Sequence, residues 1–491
     1  MTEDSAHPSR SLTLMPLVVI LLAYALGGGL YAYYTPPWQA PDEPAHYNYI
    51  RALAEERHLP VMEIGDYDQA YLSTLTSRGF PPDLSVAPLT YEDHQPPLYY
   101  LLAVPIYLAA GGSILALRLF SLTLGGLSIT ALYLLLREMW PTEPWLPALG
   151  AASVATIPQF LAIMASINND ALTLALLWLW LWVTVRYFKG SAHPALVGCI
   201  GGTLLLTKTT GYSVLPLAIL ALWLRWRHMR QGSNARAIWR EALMLLGLPL
   251  AMGSLWWIRN TLVYGWPDIL GLQRHAAVVV GQPRTADWIA DMGLRTFLTG
   301  ALRTTFQSFW GQFGWMGVVL DQRIYLGFLM VTLFVTWAAL WGVFIEKRDR
   351  LAPFAQDALV LLLGLAGLTL IMYVTYNLTF VQHQGRYLFP ALPLYAVVAG
   401  FGLTRLGQRR FALATGIMFL GATGLLVLLG ILRHDLPMWP IAIAGAAGGT
   451  GIAVSALPDR WRRYVGLVPL VLMWGVDLWC LFGFIVPLLK G

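Results

Sequence analysis

Two adjacent carboxylates, Asp42 and Glu43, follow the first long apolar stretch of the chain, within TPPWQAPDEPAHY. His46 stands just after them. A carboxylate held beside a hydroxyl or an amine can take its proton, and this is the usual work of a general base. Paired acids in an ordinary solvated loop are the competing explanation. The prolines and aromatic residues around the pair restrict the backbone, and this favours a catalytic role.

A second group of ionisable residues lies in YEDHQPPLYY at 91–100. Glu92, Asp93 and His94 gather there, just before an apolar segment. A proline-capped helix at the membrane surface would explain the prolines and the aromatic residues. It would not explain the three ionisable side chains, so we count them as candidate site residues.

Polar residues at the ends of later apolar runs complete the candidate set. Asp170 ends the turn ASINND, where a helix N-cap explains it as well as catalysis does. Lys208 and Arg259 each end an apolar run, and snorkelling to the interface is an equally good explanation for them. Arg386 has Gln384 beside it in HQGRYLFP. Because a planar guanidinium suits phosphate, Arg386 is the favoured phosphate ligand.

The composition requires most of the chain to lie in lipid. Hydrophobic residues make up 57% of it and charged residues 12%, against roughly 25% charged in soluble domains. A soluble protein is excluded, and nucleic-acid binding is a poor explanation of the net charge of +6. Cys199 and Cys480 lie apart in apolar runs without metal-ligand spacing. The acids form no obvious oxygen cage either, so we expect no metal or other cofactor.

Apolar runs long enough to cross ~30 Å of hydrocarbon predict an all-α integral membrane protein with about 13 transmembrane helices. Two long outer loops, 35–113 and 259–323, hold most of the acids. Residues 97–110 are too short for a span and predict an interfacial helix on the outer surface. The spans are predicted near 13–34, 114–136, 145–165, 171–188, 195–208, 212–226, 241–258, 324–345, 356–378, 388–404, 411–431, 438–456 and 464–487.

Short basic loops set the predicted orientation. If the N-terminus is cytoplasmic, all of these loops face the cytoplasm, as the positive-inside rule requires. The candidate active site then faces outwards. We predict a catalytic module over 1–345 and further transmembrane helices over 346–491, which include the outer turn 380–390. The basic loops are 225–230, 346–350, 404–410 and 458–464.

Together, the DE pair, the HQPP segment, the acid at 170 and GRYLFPALP resemble the GT-C superfamily of membrane glycosyltransferases. The sequence is most similar to glycosyltransferase family 39, the protein O-mannosyltransferases, and to the bacterial aminoarabinose transferases. The resemblance covers residues 13–400. His46 stands one position later than the histidine of the mannosyltransferases, and Gln95 replaces a lysine common in the aminoarabinose transferases.

The resemblance implies a multi-pass enzyme of the cell membrane that moves a sugar from a polyprenyl-phosphate donor to a protein, lipid or glycan acceptor. Its phosphate leaves as a stable anion, so one carboxylate base suffices. Asp42 is the expected base, with Glu43 next and Asp170 orienting a substrate. The expected phosphate ligands are Arg386, His94, Lys208 and Arg259, and further candidates are His46, Glu92, Asp93 and Gln384.

Two other classes of membrane protein stay open at this point. A lipid or polysaccharide transporter would carry ionisable residues at the bilayer midplane and visible repeats, and neither is prominent. A glycan polymerase or ligase would use outer loops rich in arginine and histidine. The loop 259–323, with His275 and several arginines, fits that class.

Overall fold

The computed structural model of the protein describes residues 10–228, 235–344 and 352–490. These residues are almost entirely helical, so the predicted all-α membrane class is confirmed. The helices up to residue 228 are α1 (Arg10–Tyr34), α2 (Glu43–Arg51), α3 (Gln69–Ser77), α4 (Leu98–Ala109), α5 (Ile114–Met139), α6 (Trp145–Ala155), α7 (Pro158–Met164), α8 (Asp170–Phe188), α9 (Pro194–Leu205) and α10 (Val214–His228).

The later elements include one small hairpin, β1 (Gln312–Phe313) paired antiparallel with β2 (Val318–Val319). The helices are α11 (Ala235–Ala242), α12 (Leu248–Tyr264), α13 (Leu272–Val278), α14 (Thr285–Met292), α15 (Leu294–Trp310), α16 (Gln322–Phe344), α17 (Pro353–Asn377), α18 (Leu392–Leu406), α19 (Arg409–Arg433), α20 (Met438–Ala456), α21 (Asp459–Arg462), α22 (Val468–Cys480) and α23 (Val486–Leu489). Short 3-10 helices cover Thr209–Ser213, Gly385–Ala391 and Val465–Leu467, and π-helical turns cover Ala52–Glu56, Leu243–Gly247 and Leu481–Ile485.

Fewer helices can cross a membrane than the sequence predicts. In the described part of the chain, 10 helices are long and apolar enough, or 11 if α6 and α7, which meet at a 69° bend, form one span. The described part of the chain thus holds two or three fewer such helices than the 13 spans predicted. The difference lies at 195–208 and 212–226, where α9 has 12 residues and α10 has 15. At 1.5 Å per residue, neither helix crosses ~30 Å of hydrocarbon.

The predicted interfacial segment 97–110 forms α4, a helix of 12 residues. It is apolar but too short to span. The basic loop 346–350 and the last two residues of 225–230 lie outside the described residues. The division into modules 1–345 and 346–491 stays a prediction.

Local breaks in the helices bring the candidate residues together. α1 ends at Tyr34, and Asp42 then adopts a left-handed backbone conformation, with φ of 66°, immediately before α2. The second turn that carries a candidate residue is the 3-10 helix that begins at Gly385. A Cβ at this position would lie 2.2 Å from the backbone nitrogen of Phe309. Only glycine therefore allows this turn to pack so closely against α15.

Candidate active site

The carboxylate of Asp42 is held by two side chains from distant parts of the chain. Arg386 Nη2 donates a hydrogen bond of 2.5 Å to Oδ2, and the Tyr91 hydroxyl donates one of 3.0 Å to Oδ1. Burial raises the pKa of Asp42, but the charge of Arg386, the proximity of His46 and the hydrogen bonds from Arg386 and Tyr91 together outweigh it and leave that pKa below its ordinary value. Asp42 is therefore an anion at neutral pH. Its side chain is 24% exposed, so a ligand can reach it.

The turn that carries Arg386 is held in place by hydrogen bonds to α15. The Gly385 amide donates to Ser308 Oγ at 2.8 Å, and the Ser308 hydroxyl lies 3.2 Å from the His383 carbonyl oxygen. Arg386 itself is buried, with its side chain 5% exposed. Its Nε has no hydrogen-bond partner. A buried guanidinium with a spare donor can bind a further anion beside Asp42.

A second carboxylate and cation pair joins Asp170 to Lys208. Lys208 Nζ donates to Asp170 Oδ1 at 2.6 Å, and the two side chains are 15% and 19% exposed. Asp170 is the first residue of α8 rather than its N-cap, which is Asn169. Its own amide donates to Asn168 Oδ1 at 2.8 Å. The N-cap explanation of Asp170 is therefore wrong, because its carboxylate pairs with a lysine instead of closing the helix end.

His46 lies within reach of the charges of both pairs. Its Nδ1 is 2.9 Å from the Tyr100 hydroxyl, which also accepts a hydrogen bond from Asn169 Nδ2 at 3.3 Å. Burial lowers the pKa of His46 to about 3, although the negative charge of Asp42 acts in the opposite direction. His46 is a neutral imidazole among four charged groups.

Glu92 joins the same cluster. Burial, and then the negative charge of Asp42, raise its pKa to about 8, against the opposing charges of Lys208 and Arg386. Glu92 is thus protonated at neutral pH. A neutral carboxyl keeps the net charge of the cluster near zero, because the two cations are already matched by Asp42 and Asp170.

Glu43 does not share the environment of Asp42. Its side chain is fully buried and accepts hydrogen bonds of 2.7 and 2.6 Å from Arg118 in a bidentate pair. The Trp38 and Ile167 amides donate to the same carboxylate at 3.0 and 3.2 Å. With both oxygens occupied, Glu43 has no free lone pair aimed at a substrate. We therefore assign Glu43 a structural role in holding the loop. The sequence had made it the next candidate for the general base after Asp42.

Two predicted phosphate ligands have other contacts. Arg259 donates to the carbonyl oxygen of Pro60, to Asn260 Oδ1 at 3.0 Å and to the Tyr264 hydroxyl at 3.3 Å, so it ties α12 to the first outer loop. Burial lowers the pKa of His94 well below its ordinary value, and His94 is therefore neutral. A neutral imidazole cannot offset the charge of a phosphate. The contacts favour Arg386 and Lys208 for that role.

The remaining candidates support the site from its edge. Burial raises the pKa of Asp93 well above its ordinary value, so Asp93 is protonated at neutral pH. Gln384 Nε2 donates to Gln382 Oε1 at 2.8 Å, which stiffens the turn before Arg386. Among residues 10–228, 235–344 and 352–490, no group of three or more His, Cys, Asp or Glu side chains is placed to hold a metal ion. The expectation of a metal-free site stays a prediction.

Sequence reasoning missed Arg118 and Tyr91 as site residues. Arg118 is a lone cation within the apolar run ILALRLF. A charge in such a run is costly unless it is paired, and this signal could have pointed to a buried carboxylate partner. Tyr91 stands at the start of the YEDH segment. Nothing in its spacing distinguishes a ligand of Asp42 from an interfacial tyrosine.

The family of the chain follows from a match over most of its length. A family model described as a predicted membrane protein, DUF2142, matches residues 85–395. The chain belongs to the DUF2142 family. The DUF2142 region contains Glu92, Asp170, Lys208 and Arg386, whereas Asp42 precedes it. Comparison with curated proteins finds no match.

Solved structures show the fold that this DUF2142 protein shares. ArnT from Cupriavidus metallidurans bound to undecaprenyl phosphate aligns with a TM-score of 0.51 at 14% identity, covering 98% of this chain and 77% of ArnT. The GT-C fold expected from the sequence is confirmed. Two further solved structures align with TM-scores below 0.5. They are the S. cerevisiae Pmt1-Pmt2 complex bound to the sugar donor (TM-score 0.36, 16% identity, 51% and 34% covered) and the Archaeoglobus fulgidus oligosaccharyltransferase (0.42, 15%, 94% and 53%).

Proposed function

We propose that this protein is a membrane glycosyltransferase that moves a sugar from a polyprenyl-phosphate donor to an acceptor at the outer face of the cell membrane. The observation that carries the proposal is the cluster of two matched ion pairs, Asp42 with Arg386 and Asp170 with Lys208, around a neutral His46. The shared fold with ArnT, a protein solved with undecaprenyl phosphate bound, supports a phosphate-linked lipid as the donor.

The donor phosphate binds between Arg386 and Lys208. Each cation also has a carboxylate partner, so the phosphodiester shares the two cations with Asp42 and Asp170. As the bond between the sugar and the phosphate breaks, negative charge grows on the departing phosphate. Fixed cations stabilise that charge in a site shielded from water, and this is usually the largest contribution to catalysis. A phosphate leaving group needs no general acid.

Asp42 then accepts the proton of the attacking hydroxyl or amine. The hydrogen bond from Arg386 weakens the basicity of Asp42. A bound phosphate competes for the same guanidinium, so the carboxylate becomes a stronger base when the donor is present. A positioned base contributes typically 10²–10⁴-fold to the rate. Asp42 therefore stays a weak base until the donor phosphate has bound to Arg386.

An apolar cavity beside α18 has room for a short part of the hydrocarbon chain of a lipid donor. It lies between α6, α16, α18 and α22, and its lining includes Trp310, Val335, Tyr395 and Met473. α18 begins directly after the 3-10 turn that carries Arg386. A prenyl chain in this cavity would therefore lie along the helix that leads to its own phosphate.

The orientation, the acceptor and the absence of a cofactor are proposed as the sequence predicts them. The N-terminus is cytoplasmic and the cluster faces outwards, since the short basic loops then lie inside. The acceptor is a protein, a lipid or a glycan. The reaction as written uses no cofactor, and nucleic acid has no part in it.

The test is to incubate the purified protein, in lipid vesicles, with radiolabelled polyprenyl-phosphate sugars and a membrane extract. We expect the label to move to an acceptor in the extract while unlabelled polyprenyl phosphate accumulates. Labelled donor that crosses the vesicle membrane without loss of its sugar would identify a transporter instead. An absence of transfer from every donor would overturn the proposal.

A further inference from the structure

A pair of histidines, His94 and His275, lies next to the ion-pair cluster and has no part in the proposed reaction. Their ring centroids are 4.4 Å apart, with the planes inclined by 52°. His94 belongs to the first outer loop and His275 to α13 in the second, so the fold brings them together. The pair is connected to the reacting centre through Tyr91, whose hydroxyl donates to Asp42 and whose carbonyl oxygen contacts His94.

The contact with Tyr91 fixes the hydrogen positions on His94. Its Nδ1 lies 3.2 Å from the Tyr91 carbonyl oxygen, which can only accept. The proton of the neutral imidazole is therefore on Nδ1, and Nε2 carries a lone pair. His94 is only 4% exposed. Its Nε2 is thus an acceptor held within the site and shielded from bulk water.

The second histidine is held firmly against the first. α13 begins after Gly271, whose left-handed backbone (φ of 71°) lets it approach so closely that a Cβ there would lie 3.3 Å from His94 Cβ. The carboxylate of Asp268 accepts hydrogen bonds from the amides of Gln273 and Arg274 at 3.1 and 2.7 Å. The first turn of α13 is therefore fixed, and the position of His275 with it.

The two imidazoles are both uncharged at neutral pH. Burial lowers the pKa of His94 well below its ordinary value and that of His275 to about 4. They differ in this respect from Arg386 and Lys208, which supply the positive charge of the neighbouring cluster. An uncharged acceptor beside an aromatic ring suits an alcohol better than it suits an anion.

We propose that His94 and His275 form a binding subsite for an uncharged hydroxyl group, in which His94 Nε2 accepts the hydrogen bond and the His275 ring, in contact with His94, forms the adjoining wall. The inference rests on the proposed function, because it assigns a second half to the same site. The hydroxyl belongs either to the sugar of the donor or to the acceptor. Both present the same chemistry to Nε2.

The test compares His94→Phe, which keeps an aromatic ring but removes the acceptor, with His94→Gln, which restores one near the position of Nε2. His58→Phe is the control, since the His58 side chain is 59% exposed. We measure the Kd of polyprenyl phosphate, the Kd of the sugar-bearing donor and the rate of transfer. His94→Phe is expected to leave the Kd of polyprenyl phosphate unchanged and to reduce the rate of transfer by about tenfold or more. His94→Gln should recover most of the transfer.

The two sources of the hydroxyl give different results. If the sugar provides it, His94→Phe also weakens binding of the sugar-bearing donor, whereas an acceptor hydroxyl leaves donor binding intact. Weaker binding of polyprenyl phosphate itself in both variants would overturn the subsite, since His94 would then contact the phosphate. Normal transfer by His94→Phe would do the same. If wild-type protein binds no polyprenyl phosphate and transfers no sugar, the proposed function has failed instead.

Discussion

Arg386 and Asp42 are joined by a hydrogen bond of 2.5 Å across 344 positions of the sequence. The pair is recessed, with side chains 5% and 24% exposed. A second arginine and aspartate pair, Arg78 with Asp83, lies in the first outer loop at 3.3 Å, with side chains 52% and 62% exposed. The same two residue types thus form an ion pair in the candidate site and another on the exposed surface. The surface pair supplies matched controls for variants of the site.

Replacement of Asp42 by Asn should remove sugar transfer without unfolding the protein. The amide keeps the shape of the side chain but cannot take a proton, so we expect a loss of about 10²–10⁴-fold in turnover. The measurement is the initial rate of label transfer, together with the melting temperature. Asp83→Asn should match the wild type in both. Normal turnover by Asp42→Asn would remove Asp42 from the mechanism.

Replacement of Arg386 by Gln should chiefly weaken phosphate binding. A charge-assisted hydrogen bond contributes about 1.5–3 kcal/mol, so we expect the Kd of polyprenyl phosphate to rise by at least tenfold. Titration of the purified protein with polyprenyl phosphate measures the change. Arg78→Gln, which removes the exposed guanidinium, should bind as the wild type does. Unaltered affinity in Arg386→Gln would exclude its phosphate role.

Glu92 should make donor binding weaken in alkaline solution. Its pKa is raised to about 8, so it is neutral at pH 7 and becomes an anion beside the phosphate as the pH rises through 8. We expect the Kd of a polyprenyl-phosphate sugar, a diester that does not titrate in this range, to increase between pH 7 and 9. The Kd of Glu92→Gln should stay constant over the same range.

Glu92 should also make the unfolding free energy depend on pH. The native state keeps a proton on Glu92 that the unfolded chain releases near its ordinary pKa of 4.5. Between about pH 4.5 and 8 the native state therefore binds more protons, and this group's contribution to the unfolding free energy falls as the pH rises. Glu92→Gln should reduce the slope of the unfolding free energy against pH. Glu56→Gln changes a carboxylate that is 56% exposed and should leave this slope as it is. Equal slopes in all three proteins would contradict the assignment.

Arg118 should matter for folding rather than for chemistry. Its pair with Glu43 is buried, with side chains 3% and 0% exposed. Removal of one partner leaves an uncompensated buried charge, so Arg118→Met should lower the unfolding free energy by about 3–5 kcal/mol. Adding Glu43→Gln should recover part of that loss, which denaturant titration in detergent can measure. Arg78→Met should cost less than about 1 kcal/mol. Additive losses in the double variant would show that the pair is not coupled.

The sequence by itself determined the class of the protein and the approximate place of its chemistry. Runs of apolar residues must be helical in lipid, because every backbone polar group there needs an internal partner. The types and order of Asp42, Asp170 and Arg386 indicated acids and a cation at the ends of such helices. The same reasoning predicts more spans than the described part of the chain holds, because the break between α9 and α10 shortens both helices.

Only the tertiary structure decided which of these residues act together. Asp42 and Glu43 are neighbours in sequence, yet one pairs with Arg386 and the other with Arg118. The left-handed backbone at Asp42 and the start of α2 at Glu43 turn the two side chains apart. Likewise, His94 carries no charge because it is buried, and burial is a property of the packed chain. Residue type and spacing cannot contain either fact, since both depend on contacts between segments that lie far apart in the sequence, 75 residues for Glu43 and Arg118 and 344 for Asp42 and Arg386.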